Sequence, residues 1–277
     1  MGFLALKLFD VLLQTARALE ALQEGVTSVA SGTNIVVVDA QLVVRGFADD
    51  DWFNGGTLLY QGATAANQVS RLVSDYAGTT GTITVAAALP ETPALGARYG
   101  VLTRRYPREV MVGKINEALA ELGDVPAVDT SLTTASATLE YSLPVATKHD
   151  LRQVWLARAT AAPWNWERQL RVRTEWSVEG ALGVLLWPEQ PRVGYKIKLV
   201  YRTPHAPLAA DATLLSEYVS LDWLGLAAAE KLARWRLEGP GADERDLTAL
   251  LNNLTLRVAQ GRRRHPVATA PRFPVLP

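Results

Sequence analysis

The chain contains no cysteine and only three histidines among its 277 residues. The absence of cysteine excludes disulfides, thiolate zinc sites, iron–sulfur clusters and cysteine nucleophiles. His149, His205 and His265 lie far apart in sequence, so their spacing does not predict a histidine metal cluster. We therefore predict a protein with no cofactor and no metal centre.

Charged residues are also scarce, and their signs balance. They make up 20% of the chain, and 28 basic residues offset 28 acidic residues, so the formal net charge is zero. This balance provides no overall attraction to nucleic acid or to an anionic membrane. A low net charge also weakens the repulsion between copies of a chain, which favours assembly.

Long apolar runs are missing as well. The apolar N-terminal stretch, residues 1–22, is interrupted by Lys7, Asp10, Arg17 and Glu20. The uninterrupted pieces are too short to span a bilayer, and no cleavage site follows a clean apolar region. We expect an amphipathic helix here, no membrane association, and a protein made in a reducing cytoplasm.

The apolar pattern that is present divides the chain into helical and strand-rich segments. Leucines recur at helical spacing near the N-terminus, and Pro107 and Gly123 bound a second helical pattern. The β-branched runs Asn34–Asp39 and Gln41–Arg45 predict strands. The expected segments are an N-terminal bundle helix (1–25), an inserted β domain (26–105), a bundle helix (106–124), a second β region (125–206), C-terminal bundle helices (207–261) and an extended basic, proline-rich tail (262–277).

These segments predict an α+β fold. Isolated amphipathic helices must bury their apolar faces, which they can do by packing on one another. We therefore expect a bundle of about four helices. Two small antiparallel β regions, of sandwich or barrel type, would project from it, and the tail would be extended.

No motif in the sequence indicates catalysis. Asp49, Asp50 and Asp51 lack the glycine and the terminal glutamate of an EF-hand loop. No Gly-x-Ser-x-Gly elbow occurs, and the carboxylates of the second β region are those expected on any solvated sheet. We predict that the protein is not an enzyme; a hydrolase with a carboxylate pair is the weaker hypothesis.

Two clusters indicate binding. Five tryptophans between residues 155 and 187 fit either a β core with a subunit interface or a stacking platform for carbohydrate or bases. From the second β region we select Trp164, Trp166 and Tyr201 as subunit-interface candidates. The basic tail could bind DNA, bind an acidic groove on a partner, or remain solvated. Its candidate residues are Arg262, Arg263, Arg264, His265, Arg272 and Phe273.

Roughly half of the chain, from Tyr106 to Trp235, resembles the head–tail adaptor (connector or neck) proteins of tailed bacteriophages. The resemblance rests on the order of these pieces: Arg108–Leu122, Glu140–Pro144, Leu151–Trp155, the strand pair around Trp187–Pro188, Lys198–Pro204, Pro207–Leu208 with Asp211, and the helix that contains Leu226–Leu232.

Membership would imply a structural virion protein at the head–tail junction, made in the host cytoplasm. It would form a homo-oligomeric ring, commonly of twelve copies, that lies beneath the portal, joins capsid to tail and lines the DNA channel. Its partners would be the portal, tail or nozzle proteins, and non-specifically the genomic DNA, with the C-terminal tail docking on the portal. The alternative is another tail or baseplate protein, or a carbohydrate-binding module that uses the tryptophans.

Overall fold

A computed structural model describes residues 6–144, 150–157, 168–169, 177–179, 184–186, 193–239 and 244–264. These residues form two compact units, with the boundaries after Glu121 and before Ala206. The first unit contains residues from both sides of the second, so the second unit is an insertion in the first.

The first unit contains five α-helices and six strands among its described residues. Its N-terminal part comprises α1 (Leu8–Ala18), β1 (Gln23–Val26), β2 (Val36–Val38), α2 (Ala40–Val44), β3 (Thr57–Tyr60), a 3₁₀ turn (Ala65–Asn67), β4 (Val69–Ala77), β5 (Thr82–Val85), β6 (Arg98–Leu102) and α3 (Arg108–Leu122). Its C-terminal part comprises α4 (Leu221–Glu238) and α5 (Glu244–Arg264).

The six strands form one antiparallel sheet in the order β1-β6-β3-β4-β5-β2. The sheet is strongly curled into a half-barrel. Its two edge strands approach each other at one end, where the Ser28 amide, just after β1, donates to the Val38 carbonyl of β2 at 2.8 Å. The curl therefore encloses a core on the concave side of the sheet.

Alternating apolar residues of the strands fill that core. In β5, Ile83 and Val85 are buried while the intervening Thr84 is partly exposed, as the two-residue period of a strand requires. Phe53 packs edge-on against Tyr76, with ring centroids 5.0 Å apart. Each such buried apolar side chain stabilises the fold by about 1.5–3 kcal/mol. The cluster consists of Val37, Leu42, Phe53, Leu58, Tyr60, Val73, Tyr76, Ile83, Val85, Leu89, Tyr99 and Val101.

The helices of the first unit pack around α4. Gly225 of α4 allows α1 to approach closely, because a Cβ at that position would lie 2.6 Å from Cγ of Gln14. On another side of α4, Gly261 of α5 lies against the Trp223 ring. Within the described ranges, no helix combines the length and apolarity needed to cross a membrane.

The second unit consists of seven short strands in its described residues. They are β7 (Asp124–Asp129), β8 (Glu140–Ser142), β9 (Leu151–Leu156), β10 (Arg168–Gln169), β11 (Ser177–Glu179), β12 (Val184–Leu186) and β13 (Ile197–Pro204). One sheet has the order β10-β9-β13-β7 and the other the order β11-β12-β8. Tyr141, Leu143, Val154, Ile197 and Leu199 form the buried cluster of this unit.

The fold is α+β, but the predicted architecture, a helical bundle with small inserted β regions, is wrong. The strands of the first unit form a single curled sheet of six strands with a core of their own, instead of a small β region inserted in a helical bundle. The physical reason is that the strands carry enough inward apolar side chains to bury one another. The prediction assumed that the apolar faces of the helices pack on one another, and it therefore assigned too much of the core to a helical bundle.

Two local predictions are also corrected. Gln41–Arg45 lies in and directly after helix α2, because the Asp39 carboxylate accepts from the Gln41 amide at 2.9 Å and caps the helix N-terminus. The extended tail does not begin at residue 262, since α5 continues to Arg264.

Candidate interaction surfaces

The first of three polar clusters joins three segments of the first unit. The Asp211 carboxylate accepts from the Ser70 amide at 2.8 Å, the Ser70 hydroxyl at 2.6 Å and Arg108 Nη2 at 3.0 Å. Arg108 Nε donates to the Ser70 hydroxyl at 2.6 Å. This serine therefore bridges a guanidinium and an ion-paired carboxylate. Such a position ties strand β4 to helix α3 and does not activate a nucleophile.

The second cluster lies where the curled sheet comes together. Tyr99 of β6 donates its hydroxyl to the buried Asp39 carboxylate at 2.7 Å. Burial, and then the hydrogen bond to Asp39, raises the pKa of Tyr99. Gly25 of β1 lies beside this pair, and a Cβ there would be 2.5 Å from Asp39 Oδ2. The cluster therefore joins β1, the end of β2 and β6.

The third cluster holds the loop between β3 and β4. The Glu91 carboxylate accepts from the Ala63 amide at 2.7 Å and from the Tyr60 hydroxyl at 3.0 Å, and Asn67 Nδ2 donates to it as well. The hydrogen bond from Ala63 is the main cause that lowers the pKa of Glu91. Burial, followed by the bond to Glu91, raises the pKa of Tyr60 to about 12.

This cluster predicts a small pH dependence of stability. Because the pKa of Glu91 is lower in the folded chain, its contribution is present above the unfolded pKa and is lost as the pH falls through the folded pKa. We expect urea titrations to show a smaller loss of stability between pH 7 and pH 3, by a few tenths of a kcal/mol, for Glu91→Gln than for the wild type. Equal losses in both proteins would contradict the assignment.

All three clusters are structural ties within the chain. Among the described residues, no group of three or more His, Asp or Glu side chains could hold a metal ion. The surfaces of the chain are therefore better candidates for function than its polar clusters.

One surface belongs to the second unit. Trp155 of β9 pairs with Lys198 of β13, and the Lys198 ammonium lies 4.9 Å from the centre of the indole ring. Gln153 accepts from the indole N–H at 3.1 Å. Burial lowers the pKa of Lys198. One face of this tryptophan is therefore covered by a cation, which limits its use as a stacking platform for a ligand.

The structure places one of the three predicted subunit-interface residues. Tyr201 pairs with Leu151, which packs on the core of the second unit, so the tyrosine lies partly buried on that side of the sheet. Burial, and then the Asp129 carboxylate, raises the pKa of Tyr201. Trp164 and Trp166 lie outside the described residues.

Helix α5 carries the basic candidates. Arg262, Arg263 and Arg264 are the last three residues of this helix. Tertiary contact with α4 is made along one stripe, in which Leu254 is buried, while Leu256 is 66% exposed. The remaining candidates, His265, Arg272 and Phe273, lie outside the described residues. The structure therefore brings three of the six tail residues together on a helix.

A groove of about 530 Å³ lies beside α5 in the first unit. Its lining contains two arginines and two carboxylates, so its formal charges balance. The lining residues are Leu19, Glu20, Arg105, Tyr106, Arg236, Asp246, Leu247, Ala249, Leu250 and Asn253.

No family model matches the chain, and no curated protein is significantly similar to it. The case for a function therefore depends on the residues and surfaces described above.

Sequence reasoning missed all three polar clusters. The partners Ser70 and Asp211 are 141 residues apart, and Tyr99 and Asp39 are 60 residues apart. One signal was present: Asp39, directly before Ala40 and the apolar run Leu42–Val44, is a typical helix N-cap.

Proposed function

We propose that the protein is a structural component of a tailed-phage particle, a ring-forming adaptor at the head–tail junction. The observation that carries the proposal is α5, a helix of 21 residues that packs along one stripe and exposes the rest of its surface, including Leu256. A largely exposed helix of this length is expected to find a partner in an assembly.

The order of elements is compatible with the resemblance. Helix α3, strands β8, β9 and β13, and helix α4 follow one another in the described chain in the order on which the resemblance rests. Near-zero net charge and polar clusters that tie elements together also suit a load-bearing subunit. Ring formation requires heterologous contacts that close on themselves.

Electron microscopy of the purified protein, alone and mixed with its cognate portal, tests this proposal. We expect a ring stacked coaxially on the portal, and its copy number can be counted directly. Absence of both a ring and any density on the portal would contradict the proposal and would favour a role elsewhere in the tail.

A second prediction concerns the C-terminal segment. Deleting residues 265–277 removes the tail and leaves α5 complete to Arg264. If this segment docks on the portal, the truncated protein should bind the portal at least about 100-fold more weakly, which corresponds to about 2.7 kcal/mol, while its thermal unfolding stays unchanged. Biolayer interferometry against immobilised portal measures the affinity, and unaltered binding would remove the docking role.

A further inference from the structure

Gly113, in the middle of α3, has no explanation within the described chain. Glycine destabilises a helix interior relative to alanine. Gly225 in α4 has a packing reason, because a side chain there would collide with Gln14. Gly113, in contrast, is exposed, and a Cβ built on it would have no described atom within 4 Å apart from its chain neighbours and the backbone of its own helix. A missing side chain on an exposed helix allows another helix to approach closely.

Three carboxylates share the exposed surface of α3 with Gly113. Glu109, Gly113, Glu117 and Glu121 follow at four-residue intervals and are all exposed, as is Ala120. Residues with this spacing form one stripe along a helix. The side chains of Glu117 and Glu121 bond to lysines but remain 51% and 67% exposed. We call these five residues the α3 stripe; it combines small residues with carboxylates.

Helix α5 presents a complementary stripe. Arg245, Ala249, Asn252, Leu256 and Ala259 follow at alternating intervals of four and three residues, and all are exposed. Arg263 occupies the next position of this series on the helix. The spacing is that of the seam of a helix–helix interface. The α5 stripe, defined by these six residues, is thus uncharged in its middle and basic at both ends.

The arginines of the α5 stripe favour the α3 stripe of another copy over a second α5 stripe. Pairing two α5 stripes in antiparallel orientation would bring Arg245 of one copy to the basic end of the other, and a parallel pair would align identical arginines. Like charges at such a seam are destabilising. The α3 stripe offers the opposite charge. With Leu256 seated on Gly113 and the helices parallel, Arg263 falls beside Ala120 and Glu121, and Asn252 beside Glu109.

We propose that the α5 stripe of one copy docks on the α3 stripe of a second copy, with Leu256 seated over Gly113. The two stripes are different surfaces of the chain, so the contact is heterologous and can close into a ring. This inference rests on the proposed function, for which it supplies the lateral contact between subunits.

Substitutions at Gly113 distinguish a contact between two copies from a structural role within one chain. Gly113→Ala should raise the melting temperature by roughly 2 °C, since alanine favours the helix and meets no neighbour. Gly113→Gln should keep at least the wild-type melting temperature and weaken self-association in analytical ultracentrifugation at least about 10-fold, because its side chain occupies the seat of Leu256. Gly225→Ala, the matched control, should lower the melting temperature.

Cross-linking tests the pairing directly, because the natural chain contains no cysteine. Copies with Gly113→Cys and copies with Leu256→Cys, carrying different tags, are mixed and treated with a short bismaleimide, alone and on the portal. We expect heterodimers from this pair and none from Leu256→Cys with Leu72→Cys, an exposed control on β4. Homodimers of Leu256→Cys alone would indicate α5–α5 pairing and overturn the proposal.

The remaining outcomes distinguish the two proposals. Wild-type rings without the cross-link, or a Gly113→Gln variant that assembles normally, would overturn this contact and leave the adaptor role in place. Cross-linked copies that never bind the portal would support the contact and contradict the adaptor role. A wild-type chain that does not self-associate, alone or on the portal, would overturn both.

Discussion

Replacing Asp211 by alanine is expected to lower the free energy of unfolding by about 3 kcal/mol. Its carboxylate accepts three hydrogen bonds, two from Ser70 and one from Arg108. Removing it leaves the guanidinium and the serine without their acceptor. Loss of one partner of a buried ion pair costs about 3–5 kcal/mol, and the low end applies because the Arg108 side chain is 25% exposed.

Urea denaturation of the full chain, followed by circular dichroism, measures this loss. Asp75→Ala is the matched control, because Asp75 is an exposed carboxylate on β4, the strand that carries Ser70. We expect its effect to remain within about 0.5 kcal/mol. A loss below about 1 kcal/mol for Asp211→Ala would show that the cluster does not tie β4 to α3. Combining it with Arg108→Met should give less than the sum of the two single losses.

Elements with strong local signals were predictable from the sequence. Pro107 before the first turn and Gly123 after the last predict a helix over 106–124, and α3 spans Arg108–Leu122. Both signals act through the backbone at the position where they occur, since proline lacks the N–H and glycine readily adopts a positive φ, which is 78° at Gly123. Such signals do not depend on what the helix packs against.

Glycines placed for packing misled the same reasoning. Gly25 ends the predicted N-terminal helix (1–25), yet α1 ends at Ala18 and Gly25 lies in β1, where only hydrogen fits beside Asp39. Gly261 ends the predicted C-terminal bundle segment (207–261), yet α5 continues through it to Arg264, and Gly261 lies against the Trp223 ring. A glycine marks either a turn or a close approach, and the sequence alone does not distinguish them.

The candidate surfaces were only partly predictable, because they depend on which side of an element remains uncovered. The arginines at 262–264 are evident in the sequence, but their place in the last turn of α5 depends on the continuation of that helix. The acidic positions of α3 are regularly spaced, but their exposure, and the open space over Gly113, appear only in the folded chain. The six-stranded sheet likewise depends on pairings between distant strands, such as β1 with β6.

Replacing Asp39 by alanine is expected to lower the free energy of unfolding by about 3 kcal/mol, because Asp39 holds together the edges of that curled sheet. The Asp39 carboxylate caps α2 through the Gln41 amide and accepts from the buried Tyr99 hydroxyl. Loss of a helix cap costs about 1 kcal/mol, and a buried hydroxyl left without its acceptor costs about 1–3 kcal/mol. Tyr99→Phe keeps the cap and should cost less, about 2 kcal/mol.

Hydrogen exchange of the backbone amides locates the effect. In Asp39→Ala, amides of the edge strands should exchange at least about 10-fold faster, including Ser28, whose bond to Val38 closes the curl. The amides of β3 and β4 in the middle of the sheet should be affected only through the global loss. Asp49→Ala, which removes an exposed carboxylate from the loop before β3, is the control. Uniform acceleration across all six strands would instead mean that Asp39 stabilises the unit as a whole and does not hold its edges together.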